Sequence, residues 1–395
     1  MNRRAFLHVS ALAMAANSAS RMVAAVSSQA RATGYFSVAQ LGDHWWLLTP
    51  ERRPFFSIGF NHIDSAPLRY PETVHIWREK YGNSQERWLR EAVAADLRAW
   101  GFNSVGWTQE VVVRGDTIHR HSPPFTFEEY QWLGLPYCHL LPLAETHQWE
   151  AETRYPDFFS HDFEEWCDYV ARAHCARMAD DPKLIGYFYV DCPTWVHTTK
   201  FNTWKGPLFD PGKLQTEAGR AELSRLATQY YRVTHDAVRR YDKNHLILGD
   251  RYEVNAPLPE EVVRAAMPFV DVLSFQCFGK PEATRKALEE WYDRTGKPVL
   301  AADTAGEVTR SNDGGSRHIG TSYAAKLRLL RELKGCVGMH LCGAYLRNHC
   351  RKRGLRDASE RPDNEAIEAI TSANRETQEW MEQAAPRPGG HEAER

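Results

Sequence analysis

Short apolar runs and longer amphipathic segments alternate along residues 33–383 of this 395-residue chain. The apolar runs are Phe55–Phe60, Phe102–Trp107, Tyr137–Leu141, Leu184–Val190, His245–Gly249, Val270–Gln276, Pro298–Ala302 and Cys336–Leu341. Continuous apolar runs of this length are typical of strands buried on both faces. The segments with helical periodicity are Glu86–Trp100, Asp162–Asp180, Thr216–Tyr241, Pro259–Ala266, Ala283–Thr295, Thr321–Lys334 and Asn364–Gln383. The pattern predicts parallel strands connected by helices.

Eight strand–helix alternations without a second rhythm predict a single α/β domain, a (β/α)₈ TIM barrel over residues 33–383. A doubly wound sheet is the main alternative, but no G-x-G-x-x-G motif follows the first strand. Loop insertions are expected at the carboxyl-terminal face, and the long aromatic segment 109–135 is expected to cover part of the barrel mouth. Residues 384–395 are polar with Pro and Gly, which predicts a disordered tail.

Residues 1–32 have the features of an export signal. Arg3 and Arg4 precede an apolar stretch that runs to Ala16, and the segment ends in the A-x-A sequence Ala30–Ala32. This order is typical of a signal peptide, and the arginine pair resembles the twin-arginine type. A membrane anchor or a chance arginine pair is the alternative. The prediction is a periplasmic or secreted protein whose mature part has no stable membrane span.

Charge and cysteine content narrow the function classes. Lys and Arg total 49 and Asp and Glu total 51, so the formal net charge is −2 and lacks the basic surplus of nucleic-acid binders. The eight cysteines form no C-x-x-C pair, so no thiolate zinc site is expected, and most are predicted to be reduced and buried. The chain has 13 Trp and 16 Tyr, residues that sugar-binding clefts use as apolar faces with a polar handle.

Two aspartates follow predicted strands whose carboxyl ends form the barrel mouth, where such folds carry out their chemistry. Asp191 ends strand four and Asp303 ends strand seven. A bond lying between them would be protonated from one side and attacked from the other, as glycoside hydrolysis requires. Burial beside Tyr189 and Trp195 is expected to raise the pKa of Asp191, which suits a general acid. For either aspartate, a helix N-cap or an ion pair is the structural alternative.

Polar and aromatic residues at the other strand ends are candidates for substrate binding. Histidine and glutamine side chains offer hydrogen bonds to sugar hydroxyls, tryptophans and tyrosines offer stacking, and Asp250 and Arg251 offer either a mutual pair or an anion site. The candidates are His62, Trp107, Gln109, Glu110, His139, Trp195, Asp250, Arg251, Tyr252, Gln276, His340 and Tyr345. Glu110, Glu253 and Glu307 are reserve carboxylates. Neither a metal nor a cofactor is expected, and the predicted partner is a carbohydrate substrate.

Several of these segments, in this order, resemble a known family. Residues 55–62, 100–107, 185–188, 245–252 and 270–276 are similar to the agarase-like branch of the clan A glycoside hydrolases, and the similarity covers residues 44–345. It implies a retaining (β/α)₈ hydrolase that acts on a β-linked, galactan-like polysaccharide. It also implies an acid/base at the end of strand four and a nucleophile at the end of strand seven, which are Asp191 and Asp303 here.

The catalytic positions depart from the family pattern. Clan A enzymes carry Asn-Glu after strand four and Glu after strand seven, whereas this chain has Val190-Asp191 and Asp303. Each carboxyl is one methylene shorter, about 1.5 Å less reach. Retaining enzymes place the carboxyls about 5–5.5 Å apart and inverting enzymes about 6.5–9.5 Å apart, so either stereochemistry is open.

Three further functions compete with hydrolysis. The loss of both glutamates leaves open a carbohydrate-binding barrel without turnover. A metal-dependent hydrolase or isomerase would use His62, His139 and His340, although no H-x-H follows strand one and no H-E-x-x-H motif occurs. A polysaccharide lyase would use Tyr189 or Tyr252 as its base.

Overall fold

The computed structural model describes most of residues 33–384. The described ranges are 33–107, 111–114, 118–121, 124–144, 157–193, 195–196, 210–254, 257–304, 317–343, 345–348 and 354–384. The predicted export signal, 1–32, lies outside them. So does nearly all of the predicted disordered tail, since the last helix ends at Ala384.

Eight parallel strands close into one barrel, which confirms the predicted (β/α)₈ fold. The barrel strands are β4 (Ser57–Phe60), β5 (Ser104–Val105), β8 (Tyr137–Leu140), β9 (Leu184–Asp191), β10 (Leu246–Glu253), β11 (Leu273–Gln276), β12 (Val299–Thr304) and β13 (Cys336–Leu341). They follow one another in chain order, and β13 pairs with β4 to close the ring. Each strand lies within or overlaps one of the eight apolar runs of the sequence.

Helices connect the strands on the outside. They are α1 (Val74–Tyr81), α2 (Gln85–Trp88), α3 (Ala94–Ala99), α4 (Phe127–Leu133), α5 (His161–Met178), α6 (Glu217–Tyr241), α7 (Glu260–Ala266), α8 (Pro281–Thr295), α9 (Arg317–Arg331) and α10 (Asn364–Ala384). A π-helical turn, 89–93, joins α2 to α3. Short 3₁₀ turns occupy 66–69 and 213–215. No helix in the described part of the chain is long and apolar enough to cross a membrane.

The helix ends show where the capping signals lie. The helix predicted to begin at Asp162 begins one residue earlier, and its N-cap is Ser160, whose hydroxyl accepts the backbone N–H of Phe163. Asp162 instead occupies the first turn, where a carboxylate favours the positive end of the helix dipole. Helix α8 ends at Thr295, as the sequence predicted, and Gly296 caps it in a left-handed conformation.

Two small antiparallel sheets lie outside the strand–helix repeat. Strands β1 (Ser37–Leu41), β2 (His44–Leu48) and β3 (Pro54–Phe55) form one sheet, and Leu47 from it packs with the side chains that fill the barrel. Strands β6 (Val111–Arg114) and β7 (Ile118–His121) form a hairpin within the long segment expected at the mouth.

Strand alternation divides the barrel residues between two hydrophobic cores. Leu140, Phe188, Leu248 and Leu300 belong to the inner core, which fills the barrel. The side chains that alternate with them pack against the helices in a larger outer core. Register shifts in the pairing of β9 with β10 and of β11 with β12 change this phase before Asp191 and Asp303, so a residue at a strand end reaches the mouth either in phase with the inner core or after such a shift.

Candidate active site

One buried arginine joins the two predicted catalytic carboxylates. The guanidinium of Arg251, on β10, places Nη2 2.8 Å from Oδ2 of Asp303. Its Nε lies 3.5 Å from Oδ1 of Asp191. Arg251 is fully buried, and the two aspartates are about 5% exposed. The structure thus brings the ends of strands four and seven together, as the sequence predicted, with a positive charge between them.

A left-handed glycine sets the orientation of Arg251. Leu248 belongs to the inner core, and simple alternation would then point residue 250 into the barrel. Gly249 has a φ of +64°, and the pairing of β10 with β9 shifts register on either side of it. The shift turns Asp250 outward and Arg251 inward. A β-carbon at position 249 would also lie 2.9 Å from Cγ1 of Val270, so only glycine fits there.

Asp250 is enclosed behind the barrel wall. Its Oδ1 accepts the backbone N–H of Val190 at 3.1 Å and the hydroxyl of Tyr230 at 2.8 Å, while its Oδ2 accepts the hydroxyl of Tyr231 at 2.6 Å. Burial raises the pKa of Asp250 to about 6, although these hydrogen bonds lower it. The bond to Val190 ties β9 to β10 immediately before Asp191.

Asn61, at the end of β4, orients the Asp303 carboxylate. Its Nδ2 donates to Oδ1 of Asp303 at 2.6 Å and to the carbonyl oxygen of Ala302 at 3.0 Å. Its own Oδ1 accepts the backbone N–H of Trp107 at 2.9 Å, which fixes the amide orientation. Asn61 was not among the sequence candidates, although its place beside His62 at the end of strand one was a usable signal.

The surroundings of Asp191 differ from the sequence expectation. The side-chain amide of Gln276 donates to Oδ1 of Asp191, the same oxygen that faces Arg251. Tyr189 and Trp195, the expected desolvating neighbours, belong to the outer core. Two polar contacts of Asp191 therefore come from inward-facing residues of β10 and β11.

Trp107 and His340 line the space around Arg251. The guanidinium carbon lies 4.1 Å from the Trp107 ring centroid in a cation–π contact, so the cation covers one face of this indole. The Nε2 atom of His340 lies 2.9 Å from Oγ of Ser57, which also contacts Oγ of Ser104. Burial and the nearby Arg251 charge lower the pKa of His340 to about 3, so its ring is neutral near pH 7.

A second set of donors lies beside Asp303. His62 has a φ of +62°, and its backbone N–H donates to the Trp107 carbonyl oxygen at 2.9 Å. Its Nε2 lies 3.6 Å from Sγ of Cys342. Single donor atoms of His62, Asp303 and Cys342 all lie within 4.8 Å of one another, and all three residues are buried.

The structure directs five other sequence candidates away from Arg251, and three of them, Trp195, Tyr252 and Tyr345, belong to the outer core. His139 contacts His174 and Tyr130, Tyr252 contacts Tyr231, and Tyr345 donates to Asp96. The five candidates directed away from Arg251 are His139, Trp195, Asp250, Tyr252 and Tyr345. The candidates that lie around Arg251 are His62, Trp107, Gln276 and His340. Gln109, Glu110 and Glu307 lie outside the described residues, and Glu253 ends β10 half-buried.

Solved structures share this barrel. An agarase superposes with a TM-score of 0.66 at 16% identity, covering 87% of this chain and 63% of the agarase. An exo-β-agarase gives 0.67 at 17% identity, covering 89% of this chain and 65% of that enzyme. A β-glucuronidase of Bacteroides uniformis gives 0.57 at 11% identity, covering 86% of this chain and 37% of that enzyme.

These similarities show that the chain has the fold of glycoside hydrolases. The chain spans less than two thirds of the length of that agarase and of the exo-β-agarase. No protein-family model and no curated protein sequence matches the chain.

Proposed function

We propose that this protein is an exported glycoside hydrolase that cleaves a β-linked, galactan-like poly- or oligosaccharide with two carboxylates. The observation that carries the proposal is the convergence of Asp191 and Asp303 on the guanidinium of Arg251 at the barrel mouth. Carboxylates at the ends of opposite strands of this fold are the groups that glycoside hydrolysis needs. The fold shared with two agarases supports the galactan-like substrate class.

The unequal contacts of Arg251 assign a role to each carboxylate. The guanidinium is 2.8 Å from Asp303 and 3.5 Å from Asp191, so its charge acts more strongly on Asp303. Each carboxylate also accepts one side-chain amide, Asp303 from Asn61 and Asp191 from Gln276. We therefore assign Asp303, the more closely paired carboxylate, as the nucleophile or base and Asp191 as the general acid.

The chemistry then follows in two forms. In both, Asp191 gives its proton to the glycosidic oxygen as the bond from that oxygen to the anomeric carbon breaks. In a retaining reaction Asp303 bonds to the anomeric carbon, and water later hydrolyses this ester with Asp191 as the base. In an inverting reaction Asp303 instead removes a proton from the water that attacks the anomeric carbon. Proton NMR of the first-formed anomer distinguishes the two.

The same arginine favours one alternative function, a carbohydrate-binding barrel without turnover. A single guanidinium contacts both carboxylates, so both are engaged in ion pairs where hydrolysis needs a proton donor and a nucleophile or base. Such a protein would bind the glycan and release no product.

A glycan panel assayed for new reducing ends tests the proposal. We expect the purified protein to release reducing ends from a β-linked galactan, and Asp191→Asn to slow this release by about 10²–10⁴-fold. The matched control is Asp181→Asn, because Asp181 is a buried hydrogen-bonded aspartate before β9, at the opposite end of that strand. Glycan binding without release in the unmodified protein would support the alternative.

Export is a separate part of the proposal and rests on residues 1–32. In a bacterium with the twin-arginine pathway, we expect the protein in the periplasm or medium, shortened near Ala32. Replacing Arg3 and Arg4 with lysine is expected to keep it in the cytoplasm at its full length. Unchanged export of the double-lysine variant would contradict the twin-arginine assignment.

A further inference from the structure

We propose that His62, Cys342 and Asp303 form a binding site for one thiophilic divalent cation, with Zn²⁺ as the best-matched ion. The three side chains offer an imidazole nitrogen, a thiolate sulfur and a carboxylate oxygen within 4.8 Å of one another. This donor set suits zinc, which takes Cys, His and carboxylate ligands, whereas Ca²⁺ and Mg²⁺ prefer oxygen.

The distance between two of the donors agrees with tetrahedral zinc. Zinc binds sulfur at about 2.3 Å and nitrogen at about 2.0–2.1 Å, so the two donors of one tetrahedral ion lie about 3.6 Å apart. Sγ of Cys342 and Nε2 of His62 lie 3.6 Å apart. The Asp303 oxygen is within 4.8 Å of both donors, so a side-chain rotation that moves this oxygen by about 1 Å lets it bind the same ion.

The donors are supported by the backbone of three strand ends. The N–H of His62 donates to the Trp107 carbonyl oxygen at 2.9 Å, and the His62 carbonyl oxygen accepts the N–H of Tyr345 at 3.1 Å. The N–H of Cys342 donates to the Thr304 carbonyl oxygen at 2.8 Å, one residue after Asp303. Ligands held on rigid elements lose little conformational entropy when they bind an ion.

The charge of the site also favours a cation. Two aspartates face one arginine, which leaves a net negative charge before Cys342 loses its proton. Asp303 uses Oδ1 for Asn61 and Oδ2 for Arg251. Each carboxylate oxygen has a second lone pair, so the ion and these two residues bind Asp303 together. Three protein ligands leave a fourth position for water, as in open zinc sites.

Cobalt(II) substitution tests the proposal on the full-length protein, because a cobalt–thiolate bond produces a near-ultraviolet charge-transfer absorption that imidazole and carboxylate ligands lack. We expect this absorption to saturate at one Co²⁺ per chain and to disappear when Zn²⁺ displaces the cobalt. Its absence from the unmodified protein at saturating Co²⁺ would overturn the proposal without any variant being needed.

Variants identify the ligands. We expect Cys342→Ser to abolish the charge-transfer absorption, and His62→Gln to weaken Zn²⁺ binding at least about tenfold in competition with a coloured chelator. The matched control is Cys192→Ser, because Cys192 follows Asp191 at the same mouth and is more exposed than Cys342. Unchanged absorption in Cys342→Ser, or its loss in Cys192→Ser, would contradict the assignment.

Occupation of Asp303 by an ion has a consequence for hydrolysis that rests on the proposed function. We expect Zn²⁺ to inhibit sugar release and a chelator to restore it, since the ion takes the carboxylate that the reaction uses. The cobalt measurement needs no substrate, so it tests the metal site independently of the proposed hydrolase activity. Sugar release unaffected by a stoichiometric, Cys342-dependent ion would show that the ion does not engage Asp303.

Discussion

Asp250→Asn is expected to remove a pH-dependent loss of stability. The carboxyl of Asp250 is fully buried and accepts three hydrogen bonds, from Val190, Tyr230 and Tyr231. An asparagine fits the same contacts: its oxygen accepts from Val190 and Tyr230, and its amide donates to the Tyr231 oxygen, whose own proton then goes to Tyr252 at 2.5 Å. The substitution therefore removes an ionisation while keeping all three contacts of position 250.

The magnitude follows from the raised pKa. Burial raises the pKa of Asp250 from 3.8 to about 6. The folded state then binds more protons than the unfolded state between these values, so the free energy of unfolding falls as pH rises through them. One pKa unit corresponds to about 1.4 kcal/mol, which gives a loss of about 3 kcal/mol that is complete above pH 6. Below pH 4 the loss is absent.

Urea denaturation at pH 4.5 and 7.5 measures this effect. We expect the protein to lose more stability across this range than Asp250→Asn does, by about 2 kcal/mol, because about 1.5 of the 2.2 pH units of the shift lie above pH 4.5. Asp242→Asn is the control: burial raises the pKa of Asp242, but hydrogen bonds from His245 and Tyr187 lower it below the usual value. Both pH values lie above the unfolded pKa, so Asp242 stabilises the fold equally at each, and Asp242→Asn is expected to keep the pH dependence of the unmodified protein. Equal pH dependence in the protein and Asp250→Asn would refute the reasoning.

Three other outcomes test the construction of the site. Gly249→Ala is expected to lower the free energy of unfolding by at least about 1–2 kcal/mol in urea, because alanine disfavours a φ of +64° and its β-carbon would meet Val270. Unchanged stability would contradict the register shift at Gly249. Arg251→Met is expected to lower the free energy of unfolding by about 3–5 kcal/mol in the same assay, since it leaves two buried carboxylates without their cation. An unchanged free energy of unfolding would contradict the ion pairs. The His340 ring, whose pKa is lowered to about 3, is expected to show no NMR titration between pH 5 and 8.

The barrel could be predicted because its strands are buried on both faces and so appear as unbroken apolar runs. The π-helical turn at 89–93 did not disturb the prediction of one helix over Glu86–Trp100, since the apolar spacing continues through it. The sheet of β1–β3 was missed because its strands are two to five residues long and lie before the repeat begins.

The site could be predicted only in part, because sequence position locates a strand end but not the face on which a side chain lies. Asp250 and Arg251 were both candidates, and the register shift at Gly249 decides that only Arg251 faces the mouth. His139 faces the helices because it alternates along β8 with Cys138 and Leu140, which belong to the inner core. Cys342 and His62 lie 280 positions apart, so no local spacing indicates that they meet.

The rate of sugar release by Asp303→Asn, measured together with its glycan affinity, tests the central claim most directly. If Asp303 is the anion that acts at the anomeric carbon, release falls at least about 10²-fold on the panel's best substrate while affinity for that glycan stays within a few-fold. Release by Asp303→Asn at the rate of the unmodified protein would contradict a catalytic role for this carboxylate.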